Sequence, residues 1–210
     1  MKNEKGKVSV LIADDHEIMR MGLASLLETD PSIEIVGEAT DGNEAVQKTL
    51  KLRPDVVIMD LMMPNKDGSE ATQEIKAARP ETRILLLTTF GTADGIAHAI
   101  EAGAEGALLK STANSEIVRA IKSLAKGSQF ISQDVRELLL KDPPVPELTE
   151  RQRAILASIT EGLTNQAIAD RLGISEDGVK RHVNAIMAKL GADSRAEAVA
   201  IALRKHLLKI

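Results

Sequence analysis

Residues 54–68 read PDVVIMDLMMPNKDG, and the fold can be worked outward from them. Within this stretch a continuous apolar run, Val56 to Met59, ends in a carboxylate, Asp60. An apolar run this short, with no polar alternation, suits a strand covered on both faces, as in parallel sheets. Similar short runs occupy 8–13, 33–39, 83–89 and 106–109, and helical patterns lie between them at 18–28, 42–51, 69–78, 94–102 and 115–126. The first of these shows the period plainly: Ile18, Met19, Gly22, Leu23, Leu26 and Leu27 share one helical face. Five strand–helix units predict an α/β fold, a doubly wound five-stranded parallel sheet of flavodoxin-like order.

Residues 128–147 read differently. A helix is expected over 133–141, and Asp142-Pro143-Pro144-Val145-Pro146 stops it. Three prolines in four residues cannot continue a helix and favour an extended linker. The domain reading is therefore 1–127, a linker with a short helix over 128–147, and 148–210. The last 63 residues read as an all-α, four-helix domain. Thr149, with Gln152 three residues on, has capping-box spacing. Helices are expected at 150–161, 165–172 and 176–190, each stopped by a glycine, followed by one capped by Ser194 and running towards 207.

Composition narrows the class. The chain has 210 residues, 43 % of them apolar, so it can build ordinary cores. Its aromatics are Phe90 and Phe130 alone, so the cores must be aliphatic. No cysteine is present, which removes disulfide scaffolds and thiol nucleophiles and agrees with the cytosol. No apolar run approaches the ~20 residues of a membrane span, and the charged first residues lack a signal-peptide core. A cytoplasmic protein without membrane association is expected. The net charge is −4, but residues 1–127 carry 15 basic against 20 acidic side chains, whereas 148–210 carry 10 against 7. That asymmetry is compatible with a nucleic-acid-binding C-terminal domain and decides nothing alone.

In doubly wound sheets the chemistry sits at the carboxyl ends of the strands. That edge collects Asp14 and Asp15 after the first strand and Asp60 after the third. It also collects Thr88 and Thr89 after the fourth and Lys110 after the fifth. Three carboxylates in one crevice repel unless a cation neutralises them, and hard oxygen donors suit Mg²⁺. A carboxylate can act as a nucleophile towards a phosphoryl group, whose oxygens a hydroxyl and an ammonium then receive.

The pieces LIADDH at 11–16, PDVVIMDLMMPNKDG at 54–68, LLLTTF at 85–90 and GALLK at 106–110 resemble the receiver domains of two-component response regulators over residues 7–127. The resemblance implies that Asp60 is the phosphoacceptor. Asp15, Asp60 and the Met62 carbonyl would hold Mg²⁺, with Asp14 acting mainly through water. Thr88 would be the switch hydroxyl, Lys110 the partner of the phosphoryl group, and Pro64 and Gly68 would shape the loop after Asp60. Two positions depart from the pattern. Ala107 stands where receivers usually carry an aromatic coupled to the threonine, and Ser111 stands where many have proline. Met62 and Phe90 flank the site and are expected to hinder attacking water, prolonging an aspartyl-phosphate.

In the C-terminal third, helix 165–172, a tight Gly173-Ile174-Ser175 turn and helix 176–190 form a helix-turn-helix pattern. Val179, Val183, Ile186, Met187 and Leu190 make a core stripe, and Lys180, Arg181 and Asn184 lie on another face. Arg and Lys suit guanine O6/N7, and Asn suits adenine. Thr164, Asn165, Lys189 and Ser194 flank them as phosphate contacts. Residues 148–207 resemble the LuxR-type DNA-binding domain of the NarL/FixJ group, on LTERQRAIL at 148–156, GLTNQAIADRLGIS at 162–175 and VKRHVNAIMAKLGADSRAEA at 179–198. By that resemblance Lys180, Arg181 and Asn184 read bases and Lys189 contacts phosphate. Gly178 replaces a common threonine, and the last helix, with Ala198, Val199, Ala202 and Leu203, is compatible with dimerisation and equally with packing on its own domain.

Three functions are compatible with these pieces. The first is a transcriptional regulator controlled by phosphorylation, with a sensor histidine kinase upstream, double-stranded DNA downstream and a homodimer when phosphorylated. Such a protein is no enzyme beyond its own phosphoryl transfer and slow dephosphorylation. The second is a Mg²⁺-dependent phosphohydrolase, for which no general acid or substrate-covering cap is evident. The third is a receiver-bearing adaptor whose helical tail does not bind DNA.

Overall fold

The apolar runs of the N-terminal part become parallel strands. The structure, a computed structural model, describes residues 6–88, 93–141, 144–146, 148–205 and 207–208. Strands β1 (Val8–Ala13), β2 (Ile33–Ala39), β3 (Val56–Met59), β4 (Arg83–Thr88), β5 (Gly106–Leu109) and β6 (Phe130–Ile131) form one sheet in the order β2-β1-β3-β4-β5-β6. Every pairing is parallel. Helices α1 (Glu17–Glu28), α2 (Gly42–Leu52), α3 (Gly68–Ala78), α4 (Ala93–Glu101) and α5 (Asn114–Ala125) connect the strands. Successive side chains of a strand point to opposite faces, and both faces are covered. Leu11, Val57, Ile84 and Leu86 pack with Val46 of α2, Ile75 of α3 and Ile96 of α4. Val10, Ile12, Ile58, Leu85 and Leu87 pack with Leu23 and Leu27 of α1 and with Ile117, Ile121 and Leu124 of α5. This sandwich explains why the strands read as unbroken apolar runs.

Among the described residues the sheet has six strands, where the sequence predicts five. The added strand, β6, has two residues, too few to show a period. It is held by backbone bonds, Phe130 N–H to the Glu105 carbonyl at 2.9 Å and Ser132 N–H to the Ala107 carbonyl at 3.0 Å. The helix expected at 133–141 is present as α6 (Gln133–Lys141). It is no free spacer: Val135 is fully buried in the cluster that contains Ala107 and Ile96, and Leu138 and Leu139 pack against it. The chain divides into two compact units, residues 1–143 and 144–210.

The second unit is helical: α7 (Glu150–Thr160), α8 (Asn165–Leu172), α9 (Glu176–Leu190) and α10 (Arg195–Arg204). Each start is capped by a hydroxyl. Thr149 and Gln152 form a reciprocal capping box, Thr164 accepts from Ala167 N–H, Ser175 from Gly178 N–H, and Ser194 from Glu197 N–H. Ile155, Leu156, Ile168, Val179, Ile186 and Ala202 lie in one core.

The α8–α9 turn depends on Gly173, which closes α8 in the left-handed region at φ 64°. A Cβ placed there meets nothing within 4 Å, so a substitution is opposed by backbone strain alone. Gly173→Ala is expected to cost about 1–2 kcal/mol, and Gly173→Asn less, because asparagine tolerates this region. Urea denaturation of the two variants checks the order, and equal losses would contradict it.

Candidate functional site

The carboxyl ends of β1, β3, β4 and β5 lie side by side, which is why residues distant in sequence meet. Asp14 and Asp15 leave β1, Asp60 leaves β3, Thr88 ends β4 and Lys110 leaves β5. One donor atom from each of Asp14, Asp15, His16 and Asp60 lies within 4.8 Å of the others. Lys110 Nζ donates to Asp60 Oδ2 at 2.6 Å and lies 2.7 Å from Asp14 Oδ2. Asp60 is only 3 % exposed and Thr88 0 %. The two strands are locked where they end, since Lys110 N–H donates to the Thr88 carbonyl at 2.6 Å.

Two carboxylates facing one ammonium leave a net negative charge in a place with little water, and both titrating partners hold protons more tightly than in water. Burial raises the Asp60 carboxyl above its ordinary range, outweighing the hydrogen bond and charge of Lys110 that pull it down; nearby Asp14 adds to the rise. Burial opposes the charge on Lys110, but the hydrogen bonds and charges of Asp14 and Asp60 outweigh it and raise the lysine.

The loop after Asp60 closes tightly on itself. Gly68 N–H donates to the Leu61 carbonyl at 2.9 Å, and a Cβ at Gly68 would lie 2.1 Å from the Asp60 carbonyl oxygen. Only glycine lets α3 begin so close behind Asp60. Asp67 and Glu70 cap α3 reciprocally. Met62 directs its N–H towards Asp60 Oδ1 at 3.4 Å, while its side chain is 51 % exposed. Thr89 and Phe90 lie outside the described residues. Among the described residues there is no cis peptide, so the bond before Ser111 is trans.

Three members of this site go unremarked in the sequence reading. His16 Nδ1 lies 2.7 Å from Asp15 Oδ1. Arg20 Nη1 donates to the Asp14 carbonyl at 2.9 Å, and Arg20 Nε donates to Glu38 Oε2 at 3.1 Å. His16 adjoins the acidic pair in sequence and was open to notice. Glu38 is eighteen residues from Arg20 and meets it only through the β1–β2 pairing.

In the second unit, α9 buries Val179, Val183, Ile186 and Leu190 and exposes Lys180, Arg181 and Asn184. The three expected base-reading residues thus share solvent-facing positions. Lys180 is engaged within its own helix, 3.1 Å from Glu176 and 3.5 Å from Asp177, and the hydrogen bond it donates to Glu176 is the main reason its ammonium titrates above the usual range. Thr164 and Ser194 are exposed but serve as helix caps. Asn165 Oδ1 accepts from Arg195 Nη1 at 2.8 Å, and Lys189 Nζ donates to Gln152 Oε1 at 3.0 Å. Gly178 is buried, and a Cβ there would stand 3.2 Å from Ser175 Oγ, so a larger residue would crowd the cap.

An acidic crevice with a buried lysine on a doubly wound sheet, followed by a four-helix unit containing helix-turn-helix, defines a receiver joined to an output domain. The response regulator receiver domain family matches residues 10–122, and bacterial regulatory proteins of the luxR family match residues 146–202. Transcriptional regulatory protein LiaR of Bacillus subtilis (strain 168) is 40 % identical over 209 residues, covering 96 % of this chain and 99 % of LiaR. Response regulator protein VraR of Staphylococcus aureus (strain NCTC 8325 / PS 47) is 37 % identical over 207 residues, covering 96 % and 99 %. Among solved structures, the response regulator ChrA of a heme-sensing two-component system is 35 % identical with a TM-score of 0.59, over 97 % of this chain and 100 % of that one. RcsB from Salmonella enterica serovar Typhimurium, bound to promoter DNA with the phosphomimetic BeF3⁻, is 28 % identical with a TM-score of 0.69, over 94 % and 98 %. This chain belongs to the two-component response regulators that pair a receiver with a LuxR-type DNA-binding domain.

The raised Asp60 makes a stability prediction. The native state keeps the Asp60 proton to higher pH than the unfolded chain does. As pH rises through the ordinary carboxylate range the unfolded state ionises first, so stability falls and Asp60 weakens the fold at neutral pH. Without divalent cations, Asp60→Asn is expected to melt above wild type at neutral pH, and the advantage should shrink as pH falls into the carboxylate range. Thermal melts across pH check this; a variant that melts lower at neutral pH contradicts it.

Proposed function

We propose that Asp60 accepts a phosphoryl group from a sensor histidine kinase and that this acylphosphate controls DNA binding by α9. The observation that supports it most directly is the convergence of Asp14, Asp60 and Lys110 at one sheet edge. An Asp60 oxygen attacks phosphorus, a phosphorus–oxygen bond forms, and the phosphorus–nitrogen bond to the kinase histidine breaks, with the imidazole leaving. Lys110, already between Asp14 and Asp60, then has a phosphoryl oxygen to meet with a charge-assisted hydrogen bond. Thr88 offers its hydroxyl from the adjacent strand.

The donor set fits Mg²⁺, because the carboxylates of Asp14, Asp15 and Asp60 are hard oxygen donors near one another. Asp15 and Asp60, with the Met62 carbonyl, would hold it, and Asp14 would act through water. When bound, Mg²⁺ supplies positive charge that lets an anionic phosphoryl group approach acidic side chains. Beyond this transfer and a slow loss of phosphate the receiver needs no enzymatic role. Met62, half exposed beside Asp60, keeps water from the acylphosphate together with Phe90.

The output follows from α9. Lys180, Arg181 and Asn184 present donors of the kind that read guanine and adenine in the major groove, and Thr164, Asn165, Lys189 and Ser194 flank them as phosphate contacts. Phosphorylation favours a homodimer, and a two-fold dimer reads two half-sites. A protein that takes its signal from a kinase and delivers it to the chromosome works in the cytoplasm. Domain boundaries follow the same reading: receiver to about residue 127, a connecting segment, and the DNA-binding domain from 148.

Three experiments test this. Acetyl phosphate with Mg²⁺ should label wild type to one phosphoryl group per chain by intact mass, and Asp60→Asn should take none; full labelling of Asp60→Asn would end the proposal. Lys180→Ala/Arg181→Ala should abolish salt-dependent binding to an operator duplex while leaving labelling intact. Retained duplex binding by that variant would remove the base-reading role of Lys180 and Arg181, and a wild-type chain that binds no duplex would favour an adaptor whose helical tail does not bind DNA. Met62→Asn should shorten the lifetime of the acylphosphate, and an unchanged or longer lifetime would remove the water-shielding role.

A further inference from the structure

The β1–α1 loop carries Asp14 and Asp15, and its carboxylates repel each other and Asp60. Something must hold the loop against that repulsion. Besides the Lys110 contact with Asp14, three bonds to the loop do so: Asp14 N–H to the Ala39 carbonyl at 3.1 Å, His16 N–H to Asp14 Oδ1 at 2.9 Å, and Arg20 Nη1 to the Asp14 carbonyl at 2.9 Å. The third differs from the others because Arg20 is itself anchored. Its Nε donates to Glu38 Oε2 at 3.1 Å on β2, its side chain is 13 % exposed, and the Glu38 carbonyl accepts from Lys48 Nζ of α2 at 2.6 Å. The guanidinium fork thus spans from α1 to the loop backbone on one side and to the sheet on the other, a geometry lysine cannot copy because it lacks a rigid fork.

We propose that Arg20, anchored on Glu38, is a positioning residue for the cation site: it fixes the Asp14–Asp15 backbone so that both carboxylates face the crevice before a cation arrives. Arg20 touches neither the phosphoryl group nor the carboxylate oxygens; it acts through the Asp14 carbonyl. This rests on the proposed cation-assisted phosphorylation of Asp60.

Outer partners that orient ligands typically change metal affinity by about 10–100-fold. In the full chain, Arg20→Ala is expected to weaken Mn²⁺ binding, measured by electron paramagnetic resonance of free Mn²⁺, by about tenfold. In labelling with acetyl phosphate, the Mg²⁺ concentration for half-maximal rate should rise by a similar factor while the rate at saturating Mg²⁺ stays near wild type. Glu38→Gln keeps an acceptor for Arg20 Nε and should bind Mn²⁺ nearly as wild type does, whereas Glu38→Ala should behave as Arg20→Ala. An unchanged Mn²⁺ affinity in Arg20→Ala, with only the melting temperature lowered, would overturn the proposal, as would equal losses in Glu38→Gln and Glu38→Ala. A wild-type chain that binds no Mn²⁺ would remove the phosphorylation reading and this proposal with it.

A separate observation carries a second inference. At Ala107, where receivers usually carry an aromatic, β6 and α6 are the neighbours. Ala107 pairs with Ile131, its carbonyl accepts from Ser132 N–H, and it shares a buried cluster with Val135 of α6 and Ile96 of α4. On its other side, β5 pairs with β4 from Leu85↔Gly106 to Thr88↔Leu109. We infer that the β6–α6 segment takes the place of the missing aromatic: it senses rearrangement at Thr88 through β5, and phosphorylation of Asp60 loosens its hold. This too rests on Asp60 phosphorylation, and α6 leads directly into the prolines before the second unit.

Hydrogen–deuterium exchange of the full chain, with phosphoryl occupancy read from intact mass, tests it. After acetyl phosphate treatment, amides of 133–141 should exchange at least several-fold faster, with no such change in Asp60→Asn. Val135→Ala should show fast exchange there without phosphorylation and still accept a phosphoryl group. Labelled protein whose 133–141 amides keep their protection would overturn the inference. Absence of labelling in wild type would instead fall on the phosphorylation reading.

Discussion

The first unit is organised around an unfavourable arrangement of charge. Asp14 and Asp60, both nearly buried, face each other across Lys110, whose ammonium lies 2.7 and 2.6 Å from them. A buried carboxylate is tolerated only when paired and hydrogen-bonded, and one ammonium cannot fully neutralise two. The excess negative charge makes the crevice receptive to a cation and keeps Asp60 costly in its absence. Much of the surrounding structure serves to hold that arrangement together: the parallel strands bring the groups to one edge, Gly68 allows the loop behind Asp60 to close, and backbone bonds hold Asp14 in place. Stability is lost here, at the place proposed for phosphoryl chemistry, as is common where function is concentrated.

The second unit shows the reverse balance. Its four helices are capped by Thr149, Thr164, Ser175 and Ser194, its apolar stripe is continuous, and the cationic side chains expected to meet DNA are exposed or held in local pairs. An exposed pair such as Lys180–Glu176 contributes little to stability. Its dissolution when a phosphate or base edge competes for the lysine is correspondingly easy. Lys189 is different, because its bond to Gln152 joins α9 to the start of α7, where Gln152 also closes the capping box. One residue thus stands between a structural role and the phosphate contact its position suggests.

Legibility in the sequence followed the length scale of each cause. The α8 and α9 bounds could be read residue for residue because glycine and hydroxyl caps act within a few residues. The strands could be read because burial on both faces removes every polar residue from Val56 to Met59. The convergence of the candidate carboxylates could be read because the fold class dictates which strand ends meet. By contrast, β6 could not: a two-residue strand has no period, and its existence depends on free backbone groups at the β5 edge. The docking of α6 was equally hidden, since Val135, Leu138 and Leu139 look the same on a helix packed against a sheet and on one packed elsewhere.

The Arg20–Glu38 pair marks the boundary of what such reading can reach. Arg20 alone is an ordinary helical arginine, and Glu38 alone is a polar residue near a strand end. Each acquires meaning only when the register of β1 against β2 is known, because Ala13 opposite Ala39 sets Glu38 beside the loop that Asp14 begins. The candidate site groups were legible because the chemistry proposed for them restricts residue type. The groups that orient them were not, because many residue types satisfy a backbone carbonyl, and only the tertiary pairing shows which one does.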